Sequence, residues 1–337
     1  MAHPKRRLGG DLHERVGGIG ATPQFRYRGT PEQGLRFRPV STAPDALRLD
    51  LDGAWGEAFP GVPTLDLRDW GPRLRFCAPA RLIEDFWDEI APRLRPHRGA
   101  PLLYGSGDFH HLAGLWVRRG FEAGKEAAPL TLLSFDNHPD WAWTPPQWAC
   151  GGWINRALDL PGVAEAAVWG CGNMELAWPA RLLGNRRAVR AGRLHLFPWR
   201  ERFAALPSGA WPWLERATWR ERFASFLAAR KGKRFYVTID LDGLRAEETL
   251  TDWENGLFTL DDLAWALEQV REAGRLAGGD LCGAASGPGT YARPVQRLLA
   301  RIDHPALPPR SEEERRSGAQ LNARAAARLL PLLRSTE

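Results

Sequence analysis

The four cysteines, Cys77, Cys150, Cys171 and Cys282, lie far apart, and no two form a C-x-x-C pair. That spacing excludes a disulfide framework and a cysteine-rich zinc knuckle, and it suits a reducing compartment. No run approaches the roughly 18 apolar residues of a membrane span. The basic start, Met1 to Arg7, leads into glycine and polar residues without the apolar core of a secretion signal. A cytoplasmic location is therefore expected, with no membrane partner. Also missing is a sustained Lys/Arg block. The formal charge of +6 comes from arginines scattered among Asp and Glu, a solvated surface that argues against nucleic acid as a partner.

What is present is a chain of 337 residues, 44% of them apolar, large enough for one big α/β domain or two smaller ones. Residues 1–45 carry Gly, Pro and Arg without apolar periodicity and read as a loosely ordered N-terminal arm. His3 and His13 within it are not candidate ligands, because a metal site needs a rigid frame. Residues 46–337 read as a single domain. Leu47, Leu49 and Leu51 alternate with Arg48, Asp50 and Asp52, a half-buried strand. A short strand is expected over Leu74–Cys77, then a helix near Arg81–Arg93 with an apolar stripe of Leu82, Ile83, Phe86, Trp87 and Ile90. Further on, strands at Ala166–Gly170, Arg193–Phe197 and Arg275–Ala285 alternate with helices at Trp153–Leu158, Met174–Leu183, Pro212–Lys231 and Leu260–Arg271. Thr259 caps the last of these. Helical segments follow from about Tyr291 and from Ser311, where Ser-Glu-Glu-Glu reads as a capped start. This is βα repetition.

Three stretches of this pattern carry chemistry. The apolar run Leu130–Leu133 leads into Ser134-Phe-Asp-Asn-His-Pro-Asp140. Side chains alternate along a strand, so Asp136, His138 and Asp140 would point the same way if the extended backbone continued. Two carboxylates and an imidazole aimed at one spot suit Mn, Zn or Fe(II) better than Ca or Mg. The competing reading is an Asp-rich turn closing a core strand. Upstream, Pro101-Leu-Leu-Tyr-Gly-Ser-Gly-Asp-Phe-His-His-Leu112 runs from a strand through Gly105 and Gly107 into a helix, which puts Asp108, His110 and His111 at a strand's carboxyl end. Ligands collect at that edge of open α/β sheets. Downstream, Arg234–Gly243 alternates Phe235, Val237 and Ile239 on one face with Tyr236, Thr238, Asp240 and Asp242 on the other. A carboxylate pair closing an apolar strand is costly to bury without a cation. Between these stretches, Trp141, Trp143, Trp148 and Trp153 surround Pro145 and Pro146; packing against the domain is the expected role of the rings.

Taken in order, Gly107-Asp-Phe-His110, Asp136-Asn-His-Pro-Asp140 and Asp240-Leu-Asp242 resemble the motifs of the ureohydrolase superfamily, the arginases, agmatinases and formiminoglutamase-like enzymes. The resemblance covers about residues 100–290. It implies a three-layer α/β/α sandwich with a mostly parallel sheet, and two Mn2+ bridged by Asp136 and Asp240. His110 and Asp140 would complete one site, His138 and Asp242 the other; Zn2+ or Fe2+ are the alternative metals. It further implies hydrolysis of a non-peptide C–N bond in a small guanidino, amidino or related substrate by a metal-activated hydroxide. Four carboxylates nearly neutralise the four positive charges. Relatives of this fold are often oligomers, so a homo-oligomer is compatible with it.

The sequence also departs from the family pattern. His110 and His111 compete for one ligand position. The family's His-Gly proton-shuttle loop reads Cys150-Gly-Gly-Trp153 here, leaving His111 as a substitute. The Asp-Pro expected after Asp-x-Asp is replaced by Gly243-Leu-Arg245. The late Glu that clamps a guanidinium would fall near Gly283-Ala-Ala-Ser286, and only Glu254, on the loop after Asp242, stands as an alternative anion. Arginase activity itself is accordingly not expected. Two other readings remain: a mononuclear zinc enzyme of deacetylase type using Asp136, His138 and Asp240, and a metal-binding chain of this fold whose catalysis has lapsed.

Overall fold

The computed structural model describes residues 45–337, apart from 57, 123–127, 144–146, 208 and 307. The arm expected over residues 1–45, Asp45 excepted, lies outside these, as do Pro145 and Pro146. Ten strands follow one another: β1 (Leu47–Asp50), β2 (Thr64–Asp66), β3 (Cys77–Pro79), β4 (Leu102–Tyr104), β5 (Leu130–Phe135), β6 (Gln147–Ala149), β7 (Val163–Cys171), β8 (Leu194–Pro198), β9 (Arg234–Asp240) and β10 (Arg275–Cys282). Eight of them form one sheet in the order β2-β1-β4-β10-β9-β5-β7-β8, with every neighbouring pair parallel. The other two, β3 and β6, pair antiparallel.

A parallel sheet needs both faces covered, and the strands are apolar enough to require it. Successive residues point to opposite faces, so Leu132 and Tyr236 pack with Ile83, Phe86, Trp116 and Trp153 on one side. Their neighbours Leu133 and Val237 pack with Phe223, Leu227, Leu263 and Leu329 on the other. Helices Ala80–Leu94 and Trp153–Leu158 serve the first layer; Trp219–Ala228, Leu260–Ala273 and Glu312–Leu329 serve the second. The result is the expected three-layer α/β/α sandwich. None of the helices among the described residues is long and apolar enough to cross a membrane.

Four local expectations fail. Gly71–Leu74 is a helical turn with Pro72 in its first positions, and the strand begins only at Cys77. Met174–Leu183 forms two short 3-10 turns instead of a helix, because Pro179 has no N–H to donate across the middle. Of Pro212–Lys231 only Trp219–Ala228 is helical: the Leu214 amide is drawn to the Pro198 carbonyl at 2.7 Å, alongside the end of β8. A tertiary hydrogen bond there overrides an apolar spacing that suits a helix. Finally, β5 stops at Phe135, so Asp136, His138 and Asp140 are not aligned by continued strand.

Because the strands are parallel, the carboxyl ends of β4, β5 and β9 open at one edge of the sheet. The three motif stretches leave from those ends, with β10 between β4 and β9.

Candidate metal centre

Each carboxylate of the centre is set by the turn it belongs to. The His138 amide donates to Asp136 Oδ1 at 2.6 Å, and the Asp242 amide donates to Asp240 Oδ1 at 3.0 Å. An acidic side chain that accepts the amide two residues on is a standard way of bending the chain off a strand. In D-x-H and D-x-D the spacing that separates two ligands thus also builds the turn that brings them together. Asp140 adopts φ +46, the left-handed region that Asp tolerates better than most residues, and this folds its carboxylate back toward the cluster. The loops are tied to one another: the Asn137 amide donates to Asp242 Oδ1 at 3.1 Å, and Asn137 Nδ2 donates to the Glu254 carbonyl at 2.9 Å.

The six expected ligand residues converge in one buried cavity. His110 Nδ1 lies 3.0 Å from Asp136 Oδ2, 3.3 Å from Asp140 Oδ2 and 3.6 Å from Asp240 Oδ2. His138 Nδ1 lies 2.8 Å from Asp242 Oδ2 and 3.5 Å from Asp136 Oδ1. Three groups of candidate ligands result among the described residues, His110/Asp136/Asp140, Asp136/His138/Asp242 and His110/Asp240/Cys282, with the atoms of each within 4.8 Å of one another and Asp136 common to the first two. Among the described residues, Asp136, His138 and Asp240 do not form such a triad by themselves.

The imidazoles are oriented from behind. His110 Nε2 is 3.0 Å from Thr238 Oγ1, and Thr238 donates its hydroxyl proton to Asp280 Oδ1 at 2.7 Å. With that proton committed, the Thr238 oxygen accepts from His110 Nε2, and Nδ1 is the atom turned to the three carboxylates. His138 Nε2 in turn lies 3.4 Å from Glu254 Oε2. Trp153 Nε1 donates to Asp140 Oδ2 at 2.5 Å, and the Trp253 ring packs edge-on to His138 with centroids 5.1 Å apart. Trp153 is thus both core and second layer of the site, while Trp143, the exposed member of the tryptophan group, belongs to neither.

Charge is concentrated here, and among the described residues no Lys or Arg lines the cavity to balance it. Burial works to lower the His110 pKa, but hydrogen bonds to Asp136 and Asp140 and the charges of Asp136 and Asp240 carry it well above the ordinary histidine value. His138 is raised likewise against burial, chiefly by Asp242. Burial, with the Asp136 charge added, pushes Asp140 up to about 7, and burial next to Asp240 and Asp136 holds Asp242 well above the carboxylate range. Asp136 goes the other way: burial opposes ionisation, yet the two imidazoles keep it ionised. So much unbalanced carboxylate, with two imidazoles, is the donor chemistry of a divalent-cation site of N and O ligands. Cys282 Sγ lies 3.5 Å from Asp240 Oδ2, but burial and that carboxylate push its thiol up, so it remains an S–H donor.

Of the two expected catalytic residues, Glu254 lies on the loop where sequence reasoning put it and His111 does not line the cavity. His111 points away from the cavity: it is fully buried, its Nδ1 lies 3.5 Å from Cys150 Sγ, and burial pushes its pKa down to about 3. Glu254 does reach the site, but as the partner of His138. In the stretch 283–286 expected to carry a clamping Glu, the first position has no room for a side chain and none of the four is acidic. Gly283 has φ +99, and a Cβ there would meet Asp240 Oδ1 and lie 2.6 Å from the Leu241 amide nitrogen. Ala284 is buried in the apolar core, and the Ser286 hydroxyl accepts from Arg75 at 3.3 Å.

Sequence reasoning passed over Glu175 and Cys150 as residues lining this cavity, and Asp280 as the far end of the His110 relay. Asp280 had a legible signal, a lone carboxylate in the apolar strand Leu276–Cys282. The other two had none.

No protein-family profile matches the chain, and no curated protein sequence matches it. Solved structures do. One described as a candidate agmatinase from Clostridium difficile matches with a TM-score of 0.50 at 13% identity, over 86% of this chain and 98% of that one. Proclavaminate amidinohydrolase from Streptomyces clavuligerus matches at 0.49 and 14% identity, over 88% and 94% of the two chains. Arginase from Medicago truncatula matches at 0.49 and 16%, over 86% and 85%. At such identities the likeness is one of fold. The match to the candidate agmatinase agrees with the parallel eight-stranded sheet, and the chain shares that fold.

Proposed function

We propose that the chain is a binuclear manganese hydrolase that cleaves a non-peptide C–N bond in a small guanidino, amidino or related substrate. His110, Asp136 and Asp140 would hold one ion and Asp136, His138 and Asp242 the other, with Asp240 beside His110 at the first. The observation that carries this reading is the pair of triads sharing Asp136. A single zinc site built on Asp136, His138 and Asp240 would leave His110 and Asp140 without a task, although His110 has a dedicated orienting relay.

Two such ions, when bound, supply an acidified water and positive charge at the bond that breaks. The chain's own contribution is orientation and exclusion of solvent. Thr238 and Asp280 fix the tautomer and angle of His110, and Trp153 anchors Asp140. The Trp253 ring covers His138 and keeps bulk water from one side of the cavity.

Glu254, in this reading, holds the His138 ring for ligation. Partners of ligating histidines commonly account for about 10–100-fold in metal affinity. Glu254→Gln is accordingly expected to weaken Mn2+ binding by about that factor while leaving the fold intact, as a Mn2+ titration would measure. An unchanged affinity would remove Glu254 from the site. The proposed reaction is tested by incubating the Mn-loaded protein with a panel of guanidines, amidines and amides and assaying urea and ammonia. The wild-type chain is expected to release product from at least one cationic member and Asp240→Asn from none. A fully metallated wild type inert to the whole panel would favour the lapsed, ligand-binding reading.

A further inference from the structure

A cation entering this cavity needs an anion of its own, since the ligand carboxylates are matched by the two ions they would hold. No acidic residue stands in the stretch 283–286 after β10, and Glu254 lies beside His138 on the exposed side. One other carboxylate is set into the wall. Just beyond β7, Asn173 Oδ1 accepts the Glu175 amide at 2.7 Å and caps a short 3-10 turn, Met174–Leu176. This turns Glu175 into the cavity shared by His110, Asp136, His138, Asp140, Asp240 and Asp242, opposite Gly151.

Glu175 Oε2 is sealed from solvent and has no hydrogen-bond partner, and no Lys, Arg or His pairs with the carboxylate among the described residues. A carboxylate oxygen sealed off without a partner is costly to keep for structure alone. We propose that Glu175 determines specificity at this site, pairing with the cationic group of the substrate in place of an acidic residue after β10. Asp303, at the rim of the same cavity, adds negative charge along the entrance. Burial, opposed by the nearby His138 and reinforced by Asp140 and Asp303, pushes the Glu175 carboxyl up to about 8. A bound cation opposes that shift.

The inference rests on the binuclear reading, and the test separates the two. Full-length protein loaded with Mn2+ is titrated with methylguanidine, a cation, and with methylurea, its neutral isostere. Wild type is expected to prefer the cation by about tenfold or more, the usual gain from a charge-assisted pair. Glu175→Gln keeps the size and shape of the side chain; it should abolish that preference while Mn2+ content and methylurea affinity stay unchanged. Glu175→Asp should retain part of it. Loaded wild type with no preference for the cation, or a Glu175→Gln variant that keeps the preference, would overturn the role of Glu175. Failure to take up two ions would instead overturn the binuclear reading on which it stands.

Discussion

Replacing Arg75 by methionine is expected to destabilise the folded chain by about 3–5 kcal/mol, the cost of removing one partner from a buried ion pair. Arg75 is enclosed together with Asp52 and Asp108; its two terminal nitrogens donate to Asp52 Oδ2 at 2.8 Å and Asp108 Oδ2 at 2.7 Å. Methionine fills much of the volume but leaves two buried carboxylates facing each other. Asp108 would keep only His304, whose Nε2 lies 2.7 Å from its other oxygen. Burial works to raise the Asp108 pKa, and it is His304 and Arg75 that hold it below the usual carboxylate value. Denaturant unfolding of the metal-free protein measures the loss. Because Asp108 shares the Gly107–Leu112 turn with His110, metal affinity should fall in the same variant. A change under 1 kcal/mol would mean that the network is solvated and that the turn is held by something else.

The second large effect is on pH. His110 and His138 bind protons well above the ordinary histidine pKa, and Asp140 titrates at about 7, so near neutrality the empty centre carries protons that ligation must displace. Metal competes with those protons, hence affinity rises with pH, by roughly tenfold per unit for each proton displaced. Apparent Mn2+ affinity measured at pH 6, 7 and 8 should climb by at least that factor per unit, and calorimetry in buffers of different ionisation enthalpy should detect proton release. The metal-free fold responds in the opposite direction. A group whose folded pKa is raised stabilises below its unfolded value, and the contribution is lost as pH rises through the folded one. The empty protein should therefore lose stability as pH rises, from about pH 4 to 7 through Asp140 and from about pH 6.5 upward through the two imidazoles, while metal-loaded protein does not. An affinity independent of pH would show that the imidazoles face the ions already deprotonated.

The layered fold was readable because the alternation of apolar residues is a local record of a sheet buried on both faces. Leu132 and Leu133 must go to opposite sides, and both sides are covered. The convergence of these carboxylates and imidazoles was readable for a related reason: D-x-H and D-x-D carry both the donors and the turn that presents them. The choice between His110 and His111 was not. Adjacent residues on a 3-10 turn point in different directions, and only packing against Thr238 or Cys150 decides which faces the carboxylates. The long helix expected from Pro212 failed where a backbone hydrogen bond to Pro198 outweighed periodicity. Glu175 left no trace in spacing, since what brings it to the site is the end of β7 and an asparagine cap, far in sequence from any ligand.

Metal content tests the central claim most directly. Full-length protein, loaded with Mn2+, freed of excess ion and analysed by elemental mass spectrometry, should carry two Mn per chain, and Asp240→Asn should retain at most one. One ion per wild-type chain, or none, at saturating Mn2+ and pH 8 would contradict the binuclear centre.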